Sequence, residues 1–282
     1  MIRRARAGAE EKNPMPLDHI QAAGATIAVR TQGAGPAILC LHATGQGARD
    51  YDRFAERMGD RFTVLALDWP GHGDSPAEAA PASAARYAGI LAGAVAALGL
   101  SRVIVIGNSI GGAAAISYAA AHPDRVRGLV LCDSGGLAPV NLVARLYCRH
   151  MARRFARAAA GDRRFPDWFA RYYRTILPAP AADWRRDEIV AGGPAVAGIL
   201  AQAWESFARP QADLRHLVPA LAMPVFYAWG RKDRTLRWSW SKAAALKAPN
   251  RRVQLFDAGH AAFLEQPDEF DRAFAGFAGA CP

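Results

Sequence analysis

The segment VIVIGNSIGG, residues 103–112, holds the residue types best suited to nucleophilic chemistry. An aliphatic run leads into residues 107–111, a G-x-S-x-G pentapeptide, and an alanine-rich helical stretch follows. Where a strand meets a helix through so short a turn, the serine backbone is strained and its Oγ projects above the sheet. Glycines two residues before and after the serine remove Cβ atoms that would collide there. Ser109 is therefore the candidate nucleophile, although serine also commonly caps helices.

The backbone amide of Ile110 is the first of that helix and points into the space in front of the serine hydroxyl. The positive end of the helix dipole stabilises negative charge at this place. An acyl-transfer intermediate carries a negatively charged oxygen, which backbone N–H groups stabilise in an oxyanion hole. We therefore expect the N–H of Ile110 to be one oxyanion donor.

Two later segments each place an ionisable side chain in a loop after a strand-like run. Asp233 ends PVFYAWGRKD, and His260 ends VQLFDAGH. A serine hydroxyl needs an imidazole to take its proton, and the imidazole needs a carboxylate that fixes its tautomer. After a G-x-S-x-G turn of this kind the acid precedes the histidine along the chain, as here. Of the seven histidines, His260 alone has the strand–loop context.

Short apolar runs alternate with helical patterns along the chain. We predict strands at about 20–22, 26–31, 37–41, 62–67, 103–106, 129–132, 225–228 and 253–256. We predict helices at about 48–58, 82–98, 110–121, 238–247 and 268–277. Continuous aliphatic runs are typical of strands covered on both faces of a parallel sheet, and the first two strands, around Gly24, should form an antiparallel hairpin. This alternation predicts a doubly wound α/β sheet.

The alternation is interrupted once, between Cys132 and Pro224, by helical stretches. Prolines punctuate them, at Pro166, Pro178, Pro180, Pro194 and Pro210. We predict a helical cap, or lid, at 137–217 over the carboxyl ends of the strands. The core should comprise 17–136 and 218–282, preceded by a flexible N-terminal tail at 1–16.

Five blocks together resemble the α/β-hydrolase family. They are GNSIGG, WGRKDR, DAGHAAFLEQPDEF, LHATGQG and DWPGHGDS, and they span most of the chain outside the predicted cap. The resemblance implies a mostly parallel eight-stranded sheet with helices on both faces. LHATGQG resembles the loop that supplies the second oxyanion amide, which by alignment belongs to Thr44, with Ala43 as the alternative. His42 and His72 lie in loops that the family uses structurally.

The family also offers a second position for the acid. Asp133 ends the run LVLCD, and some members carry the acid after that strand, so Asp133 is the alternative to Asp233. Haloalkane dehalogenases and epoxide hydrolases use Asp at the elbow, where this chain has Ser109. Meta-cleavage C–C hydrolases share the G-N-S-x-G-G elbow, but they carry Trp after the catalytic histidine, where this chain has Ala261.

The resemblance therefore implies a serine hydrolase that cleaves a carboxylic ester of a small, largely apolar substrate through an acyl-enzyme. A meta-cleavage-type C–C hydrolase or a lactonase is the alternative. A ligand receptor that retains the triad is a further alternative from another functional class. The expected reaction needs no metal and no organic cofactor.

Composition bears on partners and location. The net charge of +10 comes mainly from arginine in an alanine-rich chain, a bias that gives little support to nucleic-acid binding. The longest apolar runs are shorter than the roughly 18 to 20 residues of a membrane span, so no stable membrane insertion is expected. The four cysteines lack metal-ligand spacing and should be reduced. We expect a cytoplasmic monomer or homodimer whose partner is a small-molecule substrate.

Overall fold

Eight β-strands form one sheet through the middle of the chain, which the computed structural model describes over residues 15–282. The strands are β1 (Leu17–Ala22), β2 (Ala25–Gln32), β3 (Ala37–Leu41), β4 (Thr63–Leu67), β5 (Val103–Asn108), β6 (Val126–Cys132), β7 (Val225–Gly230) and β8 (Arg251–Phe256). The helices between and after them are α1 (Asp52–Met58), α2 (Ala84–Ala97), α3 (Ile110–Ala121), α4 (Leu142–Ala159), α5 (Phe165–Ile176), α6 (Asp183–Phe207), α7 (Trp238–Ala245), α8 (Ala262–Glu265) and α9 (Pro267–Ala278).

The strand order is β1-β2-β4-β3-β5-β6-β7-β8. β2 pairs antiparallel with β1 and β4, and the remaining neighbours are parallel. The predicted eight-stranded, mostly parallel sheet and its antiparallel entry hairpin are confirmed. Parallel pairing aligns the carboxyl ends, because Leu41 pairs with Gly107 and Cys132 pairs with both Asn108 and Ala228. The loops that follow β3, β5, β6 and β7 therefore meet at one edge.

Residues alternate between two apolar cores on the faces of the sheet. In β5, Ile104 and Ile106 belong to a core that also contains residues of α1, α8 and α9. Val103 and Val105 face the opposite core, packed with α2, α3 and α7. Both faces of the central strands are thus covered, which explains why their sequences are continuously aliphatic rather than alternating.

Helices α4, α5 and α6 lie between β6 and β7, within the predicted cap. Their aromatic side chains join the core on the α1 and α9 face. One expectation there is wrong: Pro194 does not end a helix but lies inside the 25-residue α6. A proline costs a helix one hydrogen bond, and packing offsets that loss. At Gly193, beside it, a Cβ would collide with the ring of Phe169 in α5, so the two helices approach closely.

Four smaller features compare with the sequence-based expectations: one helix, the N-terminal tail, the cysteines and the length of the apolar helices. The predicted helix at 48–58 is a 3₁₀ turn, Ala48–Tyr51, followed by α1. Residues 1–14 of the predicted tail lie outside the described residues; Met15 is buried, and the carbonyl of Pro16 accepts a hydrogen bond from Thr31 N. All four cysteines lie in the described part and are free. No helix within 15–282 is long and apolar enough to cross a bilayer.

Candidate active site

Ser109 lies between β5 and α3 with φ 53° and ψ −116°, a conformation that L-residues rarely adopt. Its N–H donates to the carbonyl of Cys132 at 3.1 Å, which ties the turn to the end of β6. Gly111 sits against β3, where a Cβ would lie 2.5 Å from the carbonyl oxygen of Leu41. The strained serine is thus held by two neighbouring strands, as the G-x-S-x-G turn predicts.

Asp233 and His260 are joined by a hydrogen bond of 2.8 Å between Oδ2 and Nδ1. The other carboxylate oxygen, Oδ1, accepts from the backbone N–H groups of Thr235 and Leu236, at 2.7 and 3.1 Å. Burial raises the pKa of Asp233, but the charge and hydrogen bond of His260 and the two amides outweigh it, so the pKa lies below its usual value. Asp233 is held ionised and oriented toward Nδ1.

Asp133, the alternative acid, lies beside this pair, with no hydrogen bond to His260 among those of the described residues. Its Oδ1 accepts from Gly230 N at 2.9 Å, whereas Oδ2 is buried without a partner within 15–282. Burial, then the charge of Asp233, raises the pKa of Asp133 well above its usual value. Oxygens of both acids and a ring nitrogen of His260 lie within 4.8 Å of one another. We interpret them as an acid pair rather than metal ligands, because Asp233 already engages Nδ1.

The loop after β3 carries Thr44, the expected second oxyanion donor. Thr44, Ala43 and Ile110 all line the cavity that contains Ser109. The buried Oγ1 of Thr44 has no hydrogen-bond partner within residues 15–282, so this hydroxyl is not tied to its own loop. Thr44 and Ala43 both stay candidates for the second donor.

Two buried histidines shape that loop. Gly45 N donates to Nε2 of His72, and Trp69 N donates to Nε2 of His42, both at 3.0 Å. Burial lowers the pKa of each ring to about 3, so both are neutral at pH 7 and can accept these bonds. Each ring thus binds a backbone N–H group of a neighbouring loop, which agrees with the structural use that the family resemblance implies for these loops.

A cavity of about 680 Å³ opens above Ser109 and His260. Aromatic and aliphatic side chains of α4, α5 and α6 form much of its wall, among them Phe155, Phe169, Leu200 and Trp204. Of the described residues that line it, Arg234 is the only one whose side chain carries a permanent charge. The volume and apolar lining suit a small organic ligand.

The sequence matches the family model for the alpha/beta hydrolase fold over residues 36–267. The chain belongs to the α/β-hydrolase family. In this α/β hydrolase the end of β5 lies beneath the cavity, since Ser109, directly after β5, lines it. It is 30% identical to a pimeloyl-[acyl-carrier protein] methyl ester esterase of Chromobacterium violaceum, covering 88% of this chain and 96% of that protein.

Two further comparisons cover nearly the whole α/β hydrolase. A 2-hydroxymuconate semialdehyde hydrolase of Pseudomonas putida is 29% identical over 95% of this chain and 96% of its own. A thermophilic esterase structure from Thermogutta terrifontis superposes with a TM-score of 0.78 over 93% of this chain and 97% of that one, at 24% identity. The relatives are hydrolases of several kinds, so they support hydrolysis without selecting one bond.

Asn108 links two parts of the site in this α/β hydrolase, a role that the sequence does not indicate. Its Nδ2 donates to the carbonyls of Cys132 and His260, at 2.9 and 2.8 Å. The residue preceding Ser109 thereby fixes the backbone of the histidine. The only available signal was a polar residue in a buried elbow, and it does not reveal a partner 152 residues away.

Glu265 was also missed. This buried carboxyl accepts from Ala179 N at 3.0 Å, in the segment after α5, and from Ala261 N at 3.4 Å. In addition, His260 N donates to the carbonyl of Ile176 at the end of α5, at 2.8 Å. The histidine loop of this α/β hydrolase is therefore bonded to the inserted helices as well as to the core.

Proposed function

We propose that this chain is a serine hydrolase that cleaves carboxylic esters of largely apolar substrates through an acyl-enzyme. One observation carries the proposal: a serine at a strained strand–helix turn shares a cavity with a histidine whose Nδ1 is bonded to a buried aspartate. An alcohol becomes a nucleophile at neutral pH when an oriented imidazole takes its proton.

In the proposed reaction, Asp233 keeps the proton of His260 on Nδ1, which leaves Nε2 free as a base. Nε2 takes the Ser109 hydroxyl proton while Oγ attacks the ester carbonyl carbon. The N–H groups of Ile110 and of Thr44 or Ala43 stabilise the resulting oxyanion. The imidazolium then protonates the leaving alcohol. Water, deprotonated by the same ring, hydrolyses the acyl-enzyme and regenerates Ser109.

The cavity supports an apolar substrate. Phe155 and Phe169, fully buried in the inserted helices, line its inner part and would contact a hydrocarbon portion. Its size falls within the roughly 300 to 1,000 Å³ typical of sites for small organic molecules. The esterase relative from Chromobacterium violaceum is consistent with an ester as the bond cleaved.

The charge around the cavity favours esters over the acidic dienones of C–C hydrolases. Such a substrate would need a cation close to its carboxylate. Arg185 is buried in the inserted helices, but its guanidinium binds Asp50 and Glu188 at 2.6 and 2.9 Å and it does not line the cavity. Arg234 lines the cavity but is exposed.

The test compares wild type with Ser109→Ala on p-nitrophenyl esters, lactones and a dienone acid. We expect multiple turnovers on apolar esters by wild type and a loss of at least about 10⁴-fold in kcat in the variant. A fluorophosphonate should label the wild type once, and mass spectrometry of peptides should place the label on Ser109.

Ser101→Ala is the control, because Ser101 is exposed and precedes β5 at the opposite end of that strand. It should retain wild-type turnover. Ester hydrolysis that survives in Ser109→Ala would contradict the proposal. Single-turnover behaviour together with a ligand-induced change in proteolysis of α4–α6 would indicate a receptor instead.

A further inference from the structure

The first two turns of α4 expose four large apolar side chains. Leu142 is 67% exposed, Val143 75%, Leu146 57% and Tyr147 48%. Trp240, at the start of α7, is 47% exposed. We call these five residues the mouth patch. Single exposed apolar residues need no explanation, but a cluster of this size is typical of an interaction site.

The mouth patch is continuous with the cavity. Val143, Tyr147 and Trp240 line the cavity and are also open to solvent, so they mark where it reaches the surface. Leu142 and Leu146 do not line the cavity and lie outside it on the same helix. The apolar surface of the patch therefore continues into the cavity that contains Ser109.

Positive charge accompanies the patch. On α4, Arg145 lies between patch residues and Arg149 follows them, and α4 contains no acidic residue. Beside Trp240, the Arg237 guanidinium lies 5.4 Å from the indole ring, and the exposed Arg234 lines the cavity. Among the described residues, the half-buried Glu205 of α6 lies close enough for its charge to act on Cys148 of α4. Asp213, which follows the cavity-lining Ala212, is paired with Arg215.

We propose that the mouth patch binds the surface of an anionic lipid aggregate, from which an ester-bearing amphiphile enters the cavity. The inference rests on the proposed esterase function and names the physical form of its substrate. Apolar side chains flanked by arginines are the combination that places a helix in the interface of an anionic bilayer, with its apolar face among the acyl chains. The contact is peripheral and reversible.

The like charges argue against a second copy as the occupant, and the position of the cavity entrance argues against a folded protein. In a twofold contact between two copies, Arg145, Arg149, Arg234 and Arg237 would face like charges from the partner copy, which is unfavourable. A folded acidic protein lying on the patch would cover the entrance that Val143, Tyr147 and Trp240 form. A lipid surface instead supplies its own molecules to that entrance.

The experiment is cosedimentation with phosphatidylcholine vesicles that contain phosphatidylglycerol or lack it. It uses wild type, Ser109→Ala, Leu142→Ser/Leu146→Ser, and Leu17→Ser. Leu17 is an exposed leucine on edge strand β1, so its variant is the matched control. We expect wild type, Ser109→Ala and Leu17→Ser to bind the anionic vesicles, and the double variant to bind at least about tenfold more weakly.

Binding by Ser109→Ala separates this inference from the proposed function, because it needs no turnover. Hydrolysis of a soluble short-chain ester should be equal in wild type and the double variant, since neither leucine lines the cavity. Equal binding to vesicles with and without phosphatidylglycerol would overturn the inference. Equal binding of wild type and the double variant to the anionic vesicles would also overturn it. So would a dimer in ultracentrifugation that depends on Leu142 and Leu146, in a protein that does not bind vesicles. Binding to soluble polyglutamate instead of vesicles would overturn it as well.

Discussion

At the scale of single residues, the adjacent buried carboxyls of Asp133 and Asp233 must differ in protonation, so that one ionised carboxylate can orient His260. Asp233 receives two backbone N–H groups and the histidine, whereas Asp133 receives one N–H, from Gly230. Two adjacent buried carboxyls do not both ionise, and the one that accepts more hydrogen bonds keeps its negative charge. Asp233 is therefore the ionised acid, and Asp133 stays neutral next to it.

Asparagine substitutions at the two positions should have unequal effects. Asp233→Asn should lower kcat about 10⁴-fold, because a neutral amide no longer fixes the tautomer or stabilises the imidazolium of His260. Asp133→Asn should change kcat less than about tenfold, because asparagine resembles the neutral acid and its Oδ1 can still accept from Gly230 N. Steady-state ester hydrolysis measures both.

The reverse ranking would move the acid role to Asp133, the alternative that the sequence left open. Circular dichroism of both variants controls for misfolding. Comparable losses in both, with native spectra, would show that the pair acts as a unit and that neither carboxyl can be assigned alone.

At the scale of elements, a buried ion pair joins the insertion to the core. Arg185 of α6 donates from Nε to Oδ1 of Asp50, which lies in the 3₁₀ turn before α1, at 2.6 Å. Burial raises the pKa of Asp50 to about 6 even though Arg185 opposes the shift. The pair joins the first turn of α6 to the 3₁₀ turn before α1.

Breaking this pair should destabilise the fold. Arg185→Leu leaves the Asp50 carboxylate buried without its partner, so we expect a loss of about 3 to 5 kcal/mol in the free energy of unfolding at pH 7. The loss should be smaller at pH 5 than at pH 7, because Asp50, with a pKa of about 6 beside Arg185 and a higher one without it, is protonated in both folded proteins at pH 5. Urea unfolding at pH 7 and pH 5 measures both effects.

Arg215→Leu is the matched control for that experiment. Arg215 also pairs with an aspartate at 2.6 Å, but its side chain is 43% exposed. Removing such a pair should cost less than about 1 kcal/mol. Equal losses in the two variants would mean that burial does not set the strength of the Asp50–Arg185 pair.

At the scale of the whole molecule, the buried neutral histidines make stability depend on pH. His42 and His72 have pKa values of about 3 in the folded chain, against an ordinary value of 6.5. Between these values the unfolded chain binds more protons than the folded chain, so stability falls as the pH falls from about 6.5 toward 3. Above about 6.5 these two rings contribute no pH dependence.

His72→Gln isolates one of these contributions. Glutamine Oε1 can accept from Gly45 N as the imidazole does, but glutamine does not titrate. The advantage of wild type over the variant should shrink by on the order of 1 kcal/mol per pH unit between pH 6 and 4. Urea unfolding at several pH values tests this, with His216→Gln, at an exposed histidine, as control. A constant difference across that range would contradict a buried neutral ring.

The fold follows from the sequence largely because its signals are local. Each strand of the sheet's centre carries its own aliphatic run, and the chain order of strands and helices restricts the topology to a doubly wound sheet. Where residues distant in the sequence decide the local structure, the sequence predicts that structure less well. Pro194 continues a helix because α5 and α6 pack closely at Gly193, and no signal within α6 reveals Phe169.

The sequence by itself determined which residues could act: a serine in a turn that forces its side chain outward, and an acid and a histidine in loops after later strands. Only the tertiary structure decided which acid bonds His260, that Asn108 and Glu265 hold its loop, and that α4 exposes a patch at the cavity. The physical reason is how far apart along the chain the interacting residues lie. Backbone strain depends on adjacent residues, whereas hydrogen bonds and burial depend on residues that meet only when the chain is folded.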